Sequence, residues 1–413
     1  MADIATDVEP PQAAGWTRRT FSALWVRNFR LFFVGQLISN SGNWLTMIAL
    51  TLLVLHRTGS GVAVGLLAAC QFGPMLVLSA WAGVVADRSN KRHLLYVTQS
   101  LEMAQSATLA VLAFLPDVPL PAFFAVAAAG GCMLAFDNPG RRSFVNEMVP
   151  AELVPNAVTL YSANVNLSRL FGPTLAAILV ATVGYGWSFT LDSVSYLAVL
   201  TSLFLMRDSE LRPAVRTPRG RGQIREGFRY LLGVPELWIS FFTVMVVGVL
   251  SYNFSVTLPI LVEKALHGSD ADFSLVYAAF SAGAVIGTLI IARRTRVTLR
   301  TIIVSTAVFG LSMFALAAVP NIAWTFPVAA VVGGTSVAYM TGTTAHAQLT
   351  AEQHMIGRVL ALQTVLLIGT TPIGGPLLGV LADSLGGRVP VLVGGIGALL
   401  AAAIAAIFAR RAG

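Results

Sequence analysis

Between Arg300 and Glu352 the chain runs for 51 residues without an aspartate, glutamate, lysine or arginine. A helix that crosses hydrocarbon needs about 20 predominantly apolar residues, whereas a core helix of a globular domain is shorter and keeps a polar face. The run is therefore read as two spans, broken at Pro320-Asn321. Further uncharged runs cover Thr58 to Ala86, Leu170 to Leu191, Leu237 to Val262 and Val359 to Ala382, of 29, 22, 26 and 24 residues. Charged residues make up only 11% of the 413 residues and apolar ones 56%, with a mean hydropathy of +0.75. These values exclude a cytosolic enzyme, a nucleic-acid binder and a disordered chain. They also argue against an outer-membrane barrel, whose strands alternate in polarity and never stay apolar this long.

Breaking the apolar runs at proline, glycine, asparagine and charge clusters predicts an all-α polytopic membrane protein of twelve helices. The expected spans are 30–56, 61–86, 93–115, 120–140, 157–182, 187–206, 236–262, 273–292, 300–318, 324–347, 357–382 and 389–409. An even number puts both termini on one side of the bilayer. Lysine and arginine choose the side, because basic residues accumulate in cytoplasmic loops. With the termini inside, 23 of the 27 basic residues fall in inner segments. Arg57, Lys264 and Arg388 fall outside, and Arg169 alone lies in mid-span. The net charge of +8 is thus a signature of orientation in a cell inner membrane. The expected organisation is a polar, interfacial segment 1–29 with Trp16, Arg18, Arg19 and Trp25, a six-helix half 30–206, a cytoplasmic linker 207–235, a second half 236–409 and a tail 410–413. No removable signal peptide is expected. Cys70 and Cys132 sit in apolar runs, and no spacing of Cys or His reads as a metal site, so no cofactor is expected.

Three echoes relate the two halves. Gly172-Pro173 returns as Gly375-Pro376, Ala151-Glu152 as Ala351-Glu352, and Thr51-Leu52 with Gly59-Ser60 as Thr257-Leu258 with Gly268-Ser269. Between spans 2 and 3 the chain reads Gly83-Val-Val-Ala-Asp87-Arg88-Ser-Asn-Lys91-Arg92. Gly83 lets helices approach. Asp87, at a helix end, can accept N–H groups from the start of a facing helix, and the basic residues can pair with an acid at the base of another span.

This loop resembles the signature of the major facilitator superfamily. Asn28-Phe-Arg, Gly35-Gln36, Ser39 and Gly42-Asn43-Trp44, together with Ser168-Arg169-Leu-Phe-Gly172-Pro173, resemble the branch of multidrug and macrolide exporters that includes the enterobactin exporter. The resemblance implies two pseudo-symmetric six-helix halves rocking about a central site, and a conformational-switch loop (Gly83, Asp87, Arg88, Lys91, Arg92) whose basic residue latches onto Asp137. Asn43 stands where that branch often has an acid, which moves proton coupling away from span 1. Gly172, Pro173, Gly374, Gly375 and Pro376 read as helix kinks and close-packing points.

Ionisable groups inside spans cost roughly 2.5–3.5 kcal/mol on insertion scales, so each needs a reason. Glu102 lies about 13 Å from the inner end of its span, Arg169 about 18 Å from that side, and Asp192 about 8 Å below the outer end, at 1.5 Å per residue. Arg169 is expected to pair with Glu102 or Asp192, one of which exchanges protons; a static ion pair is the alternative. His346 has a convenient chemistry for a relay but also suits plain helix packing. Trp44, Tyr161, Tyr252, Asn253 and Tyr339 are expected to line a substrate path or to anchor span ends at the interface. Scarce charge in the spans suits a neutral, cationic or lipophilic cargo. The expectation is thus a monomeric, proton-coupled exporter of small amphipathic molecules. An importer of a small metabolite and a polytopic enzyme acting on lipid-linked substrates are the alternatives.

Overall fold

A computed structural model describes residues 20–212, 223–292 and 297–412. Trp16, Arg18, Arg19, Arg216, Arg219, Arg221, Arg293, Arg294 and Arg296 lie outside the described residues. Among the described residues every regular element is helical, as lipid requires, because a helix satisfies its own backbone groups. The first set comprises α1 (Arg27–Thr58), α2 (Gly61–Arg88), α3 (Lys91–Phe114), α4 (Leu120–Glu147), α5 (Val154–Thr182) and α6 (Gly184–Leu205). A short amphipathic helix, α7 (Gln223–Gly233), occupies the expected linker. There follow α8 (Pro235–Leu250), α9 (Phe254–Ile260), α10 (Asp270–Ala292), α11 (Leu299–Ala317) and α12 (Ile322–Thr350). The chain closes with α13 (Ile356–Ile368), α14 (Thr371–Leu385) and α15 (Val389–Ala412).

Tight turns set the boundaries. Gly59 ends α1 in the left-handed conformation at φ 59°, and the Ser60 hydroxyl accepts from Ala63 N to start α2. Asn90 caps α3 in the same way, and Asn321 caps α12, so the long uncharged run divides where Pro320-Asn321 predicts.

Eleven of the expected spans are long and apolar enough to cross a membrane. The other, α3, forms as a helix but buries Thr98, Gln99, Glu102 and Ser106 along one face, and these lower its hydropathy.

Three expectations need correction. The span expected at 120–140 runs further: α4 continues through Pro139 and Gly140 to Glu147. Gly140 packs against Leu94 of α3, and Arg141 pairs with Asp137 one turn earlier, which holds the segment helical. The span expected at 236–262 is broken at Ser251-Tyr252-Asn253, where Asn253 Nδ2 donates to the carbonyls of Gly248 (3.0 Å) and Val249 (2.8 Å). The span expected at 357–382 breaks at Gly369-Thr370, ahead of Pro372, rather than at Gly374-Gly375-Pro376. Gly369 and Thr370 keep helical dihedrals, and what is lost is a bond of the ladder, since Pro372 has no N–H to donate. The two breaks adjoin: Gly248 faces Thr370, and Gly374 faces the Val249 carbonyl. Pro173, by contrast, sits inside the unbroken α5.

α1 packs on α5 and α6, α2 on α4, and α3 on α4 and α6. Further along, α8 packs on α13, α14 and α15, α10 on α12, and α11 on α12 and α15. The two most extensive crossings between these sets are α2 with α14 and α5 with α10. Lipid supplies no hydrophobic drive between helices, so close backbone contact carries the packing. In α10 a methyl on Gly283 would overlap the Ala330 carbonyl of α12. Gly283→Ala should therefore lower the unfolding midpoint in detergent by several degrees, in line with an overpacking cost of about 1–3 kcal/mol. Gly73→Ala, at a position with nothing within 4 Å, should leave it unchanged; scanning fluorimetry of the two variants checks this.

Candidate functional site

A cavity of about 420 Å³ lies between the two helix sets. Asn40, Asn43 and Trp44 of α1, Gln71 of α2, Glu102 of α3, Arg141 of α4, and Tyr161 and Arg169 of α5 line one side. Tyr252, Phe254, Tyr277, Phe280, Leu367 and Thr371 line the other. The wall combines aromatic faces with a few polar groups, as small-molecule sites do.

Behind this wall lies a buried polar network. Asp137 is fully buried and accepts from Thr98 Oγ1 and Gln99 Nε2, both at 2.8 Å, and from Arg141. Arg141 also donates to Asn40 Oδ1 at 2.5 Å and stands 3.9 Å from Glu102 Oε2. Gln99 Nε2 donates to Glu102 at 3.0 Å, whereas Glu102 Oε1 is buried with no hydrogen-bond partner. Two carboxylates thus share one guanidinium.

The sequence pointed to Arg169 for that role, and the structure assigns it elsewhere. The Arg169 guanidinium lies 5.0 Å over the Trp44 ring, and it makes no ion pair with Glu102 or Asp192 among the described residues. Arg141 takes the pairing because the i, i+4 spacing from Asp137 puts both groups on one face of α4; that spacing was legible but hidden by the apparent Asn-Pro-Gly break. Asp192 is buried away from the cavity, accepting from Ser106 and Ser195 beside Gly42. Asn43 donates to Tyr196 OH at 3.2 Å.

Of the expected path residues, Trp44, Tyr161 and Tyr252 line the cavity and two do not. Asn253 caps α8. Tyr339 is fully buried, bonded to Thr243 and stacked on Phe309. His346 packs near the Val297 carbonyl and Thr350, outside the cavity lining.

Gly83, Asp87 and Arg88 lie in the last turns of α2, and Lys91 and Arg92 open α3. The latch differs from expectation. Lys91 pairs with Glu147 at 2.6 Å, and Arg92 with Asp208 and the Leu203 carbonyl. Asp137 is ten residues deeper in α4 than Glu147, about 15 Å along the helix axis, beyond reach of the rim. Gly172 supports close packing: a Cβ there would meet Trp44 and the Ser41 carbonyl of α1.

The opposite end holds a cluster that sequence reasoning missed. Asp383, near the end of α14, accepts from Gly61 N (2.7 Å), Val62 N (3.0 Å) and Ser60 Oγ (2.7 Å) at the start of α2, and from Lys264 Nζ (2.5 Å). Close by, His56 of α1 stands 3.0 Å from Asp270 of α10, and Tyr185 OH of α6 donates to Asp270 at 2.7 Å. All of these contacts but that of Lys264 run between the two helix sets and close the bundle at that end. A signal existed: Gly379-Val-Leu-Ala-Asp383 repeats Gly83-Val-Val-Ala-Asp87. Arg57 and Arg388 lie at the ends of the neighbouring helices, each donating to backbone carbonyls.

Fold and cavity together define a multi-pass, all-helical membrane protein with a central cavity. Residues 18–412 match the family described as transmembrane secretion effector. The chain therefore belongs to this family of the major facilitator superfamily, a family of transporters rather than enzymes. It is similar to the staphyloferrin A transporter of Staphylococcus aureus, at 24% identity over 86% of this chain and 90% of that protein. It is also similar to the multidrug efflux pump Tap of Mycolicibacterium fortuitum, at 26% identity over 92% and 95%. In fold it is similar to a bacterial homologue of the human lysosomal transporter Spinster, with a TM-score of 0.72 at 13% identity, covering 93% of this chain and 96% of that one.

Two outcomes are expected. Arg141→Leu strands Asp137 as a buried unpaired charge and should cost about 3–5 kcal/mol, whereas Arg141→Leu with Asp137→Leu should recover most of it; detergent unfolding midpoints of single and double variants measure this. Asp383→Asn should weaken closure of its end by about 1 kcal/mol, roughly fivefold in population. Spin labels at Thr58 and Ser384, with Cys70 and Cys132 replaced by serine, would report a longer distance component.

Proposed function

We propose that the protein is a secondary active transporter that exports small amphipathic molecules across the cell inner membrane in exchange for protons. The observation that carries this reading is a cavity lined by both helix sets and closed at one end by bonds that run between them. In the proposed arrangement twelve spans form two pseudo-symmetric halves, residues 30–206 and 236–409, each broken span counting once and α3 serving as the third span. The recurring packing partners and the paired crossings α2–α14 and α5–α10 support this. The linker 207–235, the segment 1–29 and the tail 410–413 face the cytoplasm on the positive-inside rule, so the closed end is periplasmic and the site opens inward.

Alternating access then breaks the Asp383 and Asp270 contacts on one side as the other side closes, each step requiring a ligand that binds one state better. A proton supplies part of the drive, about 2.3 kcal/mol per charge per 100 mV. Glu102 is the proposed carrier: it lines the cavity, and its Oε1 lacks a donor. The relatives' names, a siderophore transporter and a multidrug pump, support drug- or siderophore-like cargo; the proposed transporting unit is a monomer. In proteoliposomes, Glu102→Gln should lose proton-driven dye accumulation at least tenfold while keeping dye-for-dye exchange. Full accumulation by this variant would refute the assignment.

A further inference from the structure

Three charged side chains line the cavity, Glu102, Arg141 and Arg169. Arg141 is committed to Asp137 and Asn40, and Glu102 lies against Arg141 and Gln99. Arg169 differs from both. It stands within ion-pair distance of no carboxylate among the described residues, and its Nε is buried with no hydrogen-bond partner. Its guanidinium lies over the face of Trp44 at 5.0 Å, and Trp44 in turn meets Tyr277 at 6.1 Å between ring centroids. A ring face attracts the flat side of a guanidinium but offers nothing to the five N–H donors around its edge.

The local backbone is shaped to produce this arrangement. Gly172 follows Arg169 by three residues, on the same face of α5. Without a Cβ it lets the Trp44 Cβ and the Ser41 carbonyl of α1 lie directly against α5. Trp44 is thereby set beneath the Arg169 guanidinium. A guanidinium held over an aromatic ring in a cavity wall, with no carboxylate in ion-pair reach among the described residues, is chemically a half-built oxyanion site. Arginine suits such a site because its fork matches a carboxylate bidentately.

We propose that Arg169 and Trp44 form an anion subsite, so that the transported molecule carries a carboxylate bound by the Arg169 guanidinium and an aromatic or apolar body resting on Trp44 and Tyr277. This rests on the cavity being the cargo site and narrows its cargo from amphipathic molecules in general to amphipathic monoanions. A molecule bearing several negative charges is disfavoured, since the only other cation lining the cavity among the described residues, Arg141, is already paired.

The test uses full-length protein in dodecyl maltoside, which offers no competing charge, with 1-naphthaleneacetate and its neutral counterpart 1-naphthaleneacetamide as probes. The two share shape and ring and differ in charge. Wild-type protein should bind the acid at least tenfold more tightly than the amide. Arg169→Gln should bind both at the amide's level, and Arg169→Lys should retain part of the preference. An unchanged unfolding midpoint for Arg169→Gln shows that the variant is folded. Equal binding of acid and amide by the wild type, binding of neither, or a preference that survives Arg169→Gln overturns the subsite. Counterflow of the same probes in proteoliposomes is scored separately. A wild-type binding preference without counterflow of the acid keeps the anion site and overturns its role in cargo transport.

Discussion

A charge taken out of water must find an opposite charge or a set of donors within a few ångströms, and in lipid the penalty for failing is several kcal/mol. Arg141 and Asp137 meet this requirement inside the first helix set, and much else follows from them. Their pairing keeps α4 helical through Pro139 and Gly140. It draws Thr98, Gln99 and Glu102 of α3 and Asn40 of α1 into one network, so three helices are tied at a common depth. Because one guanidinium serves two acids, the network also has a member that is incompletely satisfied, and that member lies at the cavity wall.

The bonds that join the two helix sets are of another kind. Within each set, contact is mostly side chains and close-packed backbone. Between the sets, polar bonds collect at one end, around Asp383 and Asp270. The two broken helices bring their breaks together at the cavity wall, where Thr370 meets Gly248 and Asn253 meets Gly374. A helix break with its carbonyls capped by a side chain, as Asn253 caps α8, bends at low cost because no intrahelical bond must be given up.

Most of the architecture was legible because lipid makes hydropathy and loop charge into strong signals. The helix ends fell close to glycine, proline and asparagine, and the span division at Pro320-Asn321 was correct. What misled was treating local breakers as decisive. The expected span stops at Gly140, yet packing against Leu94 and the Asp137–Arg141 pair carries the helix on to Glu147. Conversely, Gly374-Gly375-Pro376 reads as a kink, yet these residues serve close contact with Val249 and Gly65 while the break falls earlier. At the site, sequence singled out Glu102, Arg169, Trp44, Tyr161 and Tyr252, all of which line the cavity. It could not pair them, because which acid an arginine meets depends on helix rotation and depth. Asp383 was missed because an acid near a span end looks like an ordinary loop charge.

The repeated pattern Gly83-Val-Val-Ala-Asp87 and Gly379-Val-Leu-Ala-Asp383 gives that missed acid a wider meaning. The spacing of four puts the glycine and the aspartate on one helix face. A neighbour that approaches at the glycine therefore brings its first turn to the carboxylate. This is seen where Gly379 meets Gly61 and Asp383 accepts from Gly61 and Val62. α2 and α14 run antiparallel, so the two copies of the pattern sit at opposite ends of one crossing. Between them Gly65 and Gly375 make the close contact. Asp383 thus holds one end of this helix pair, and the Gly65–Gly375 contact holds it one turn further in.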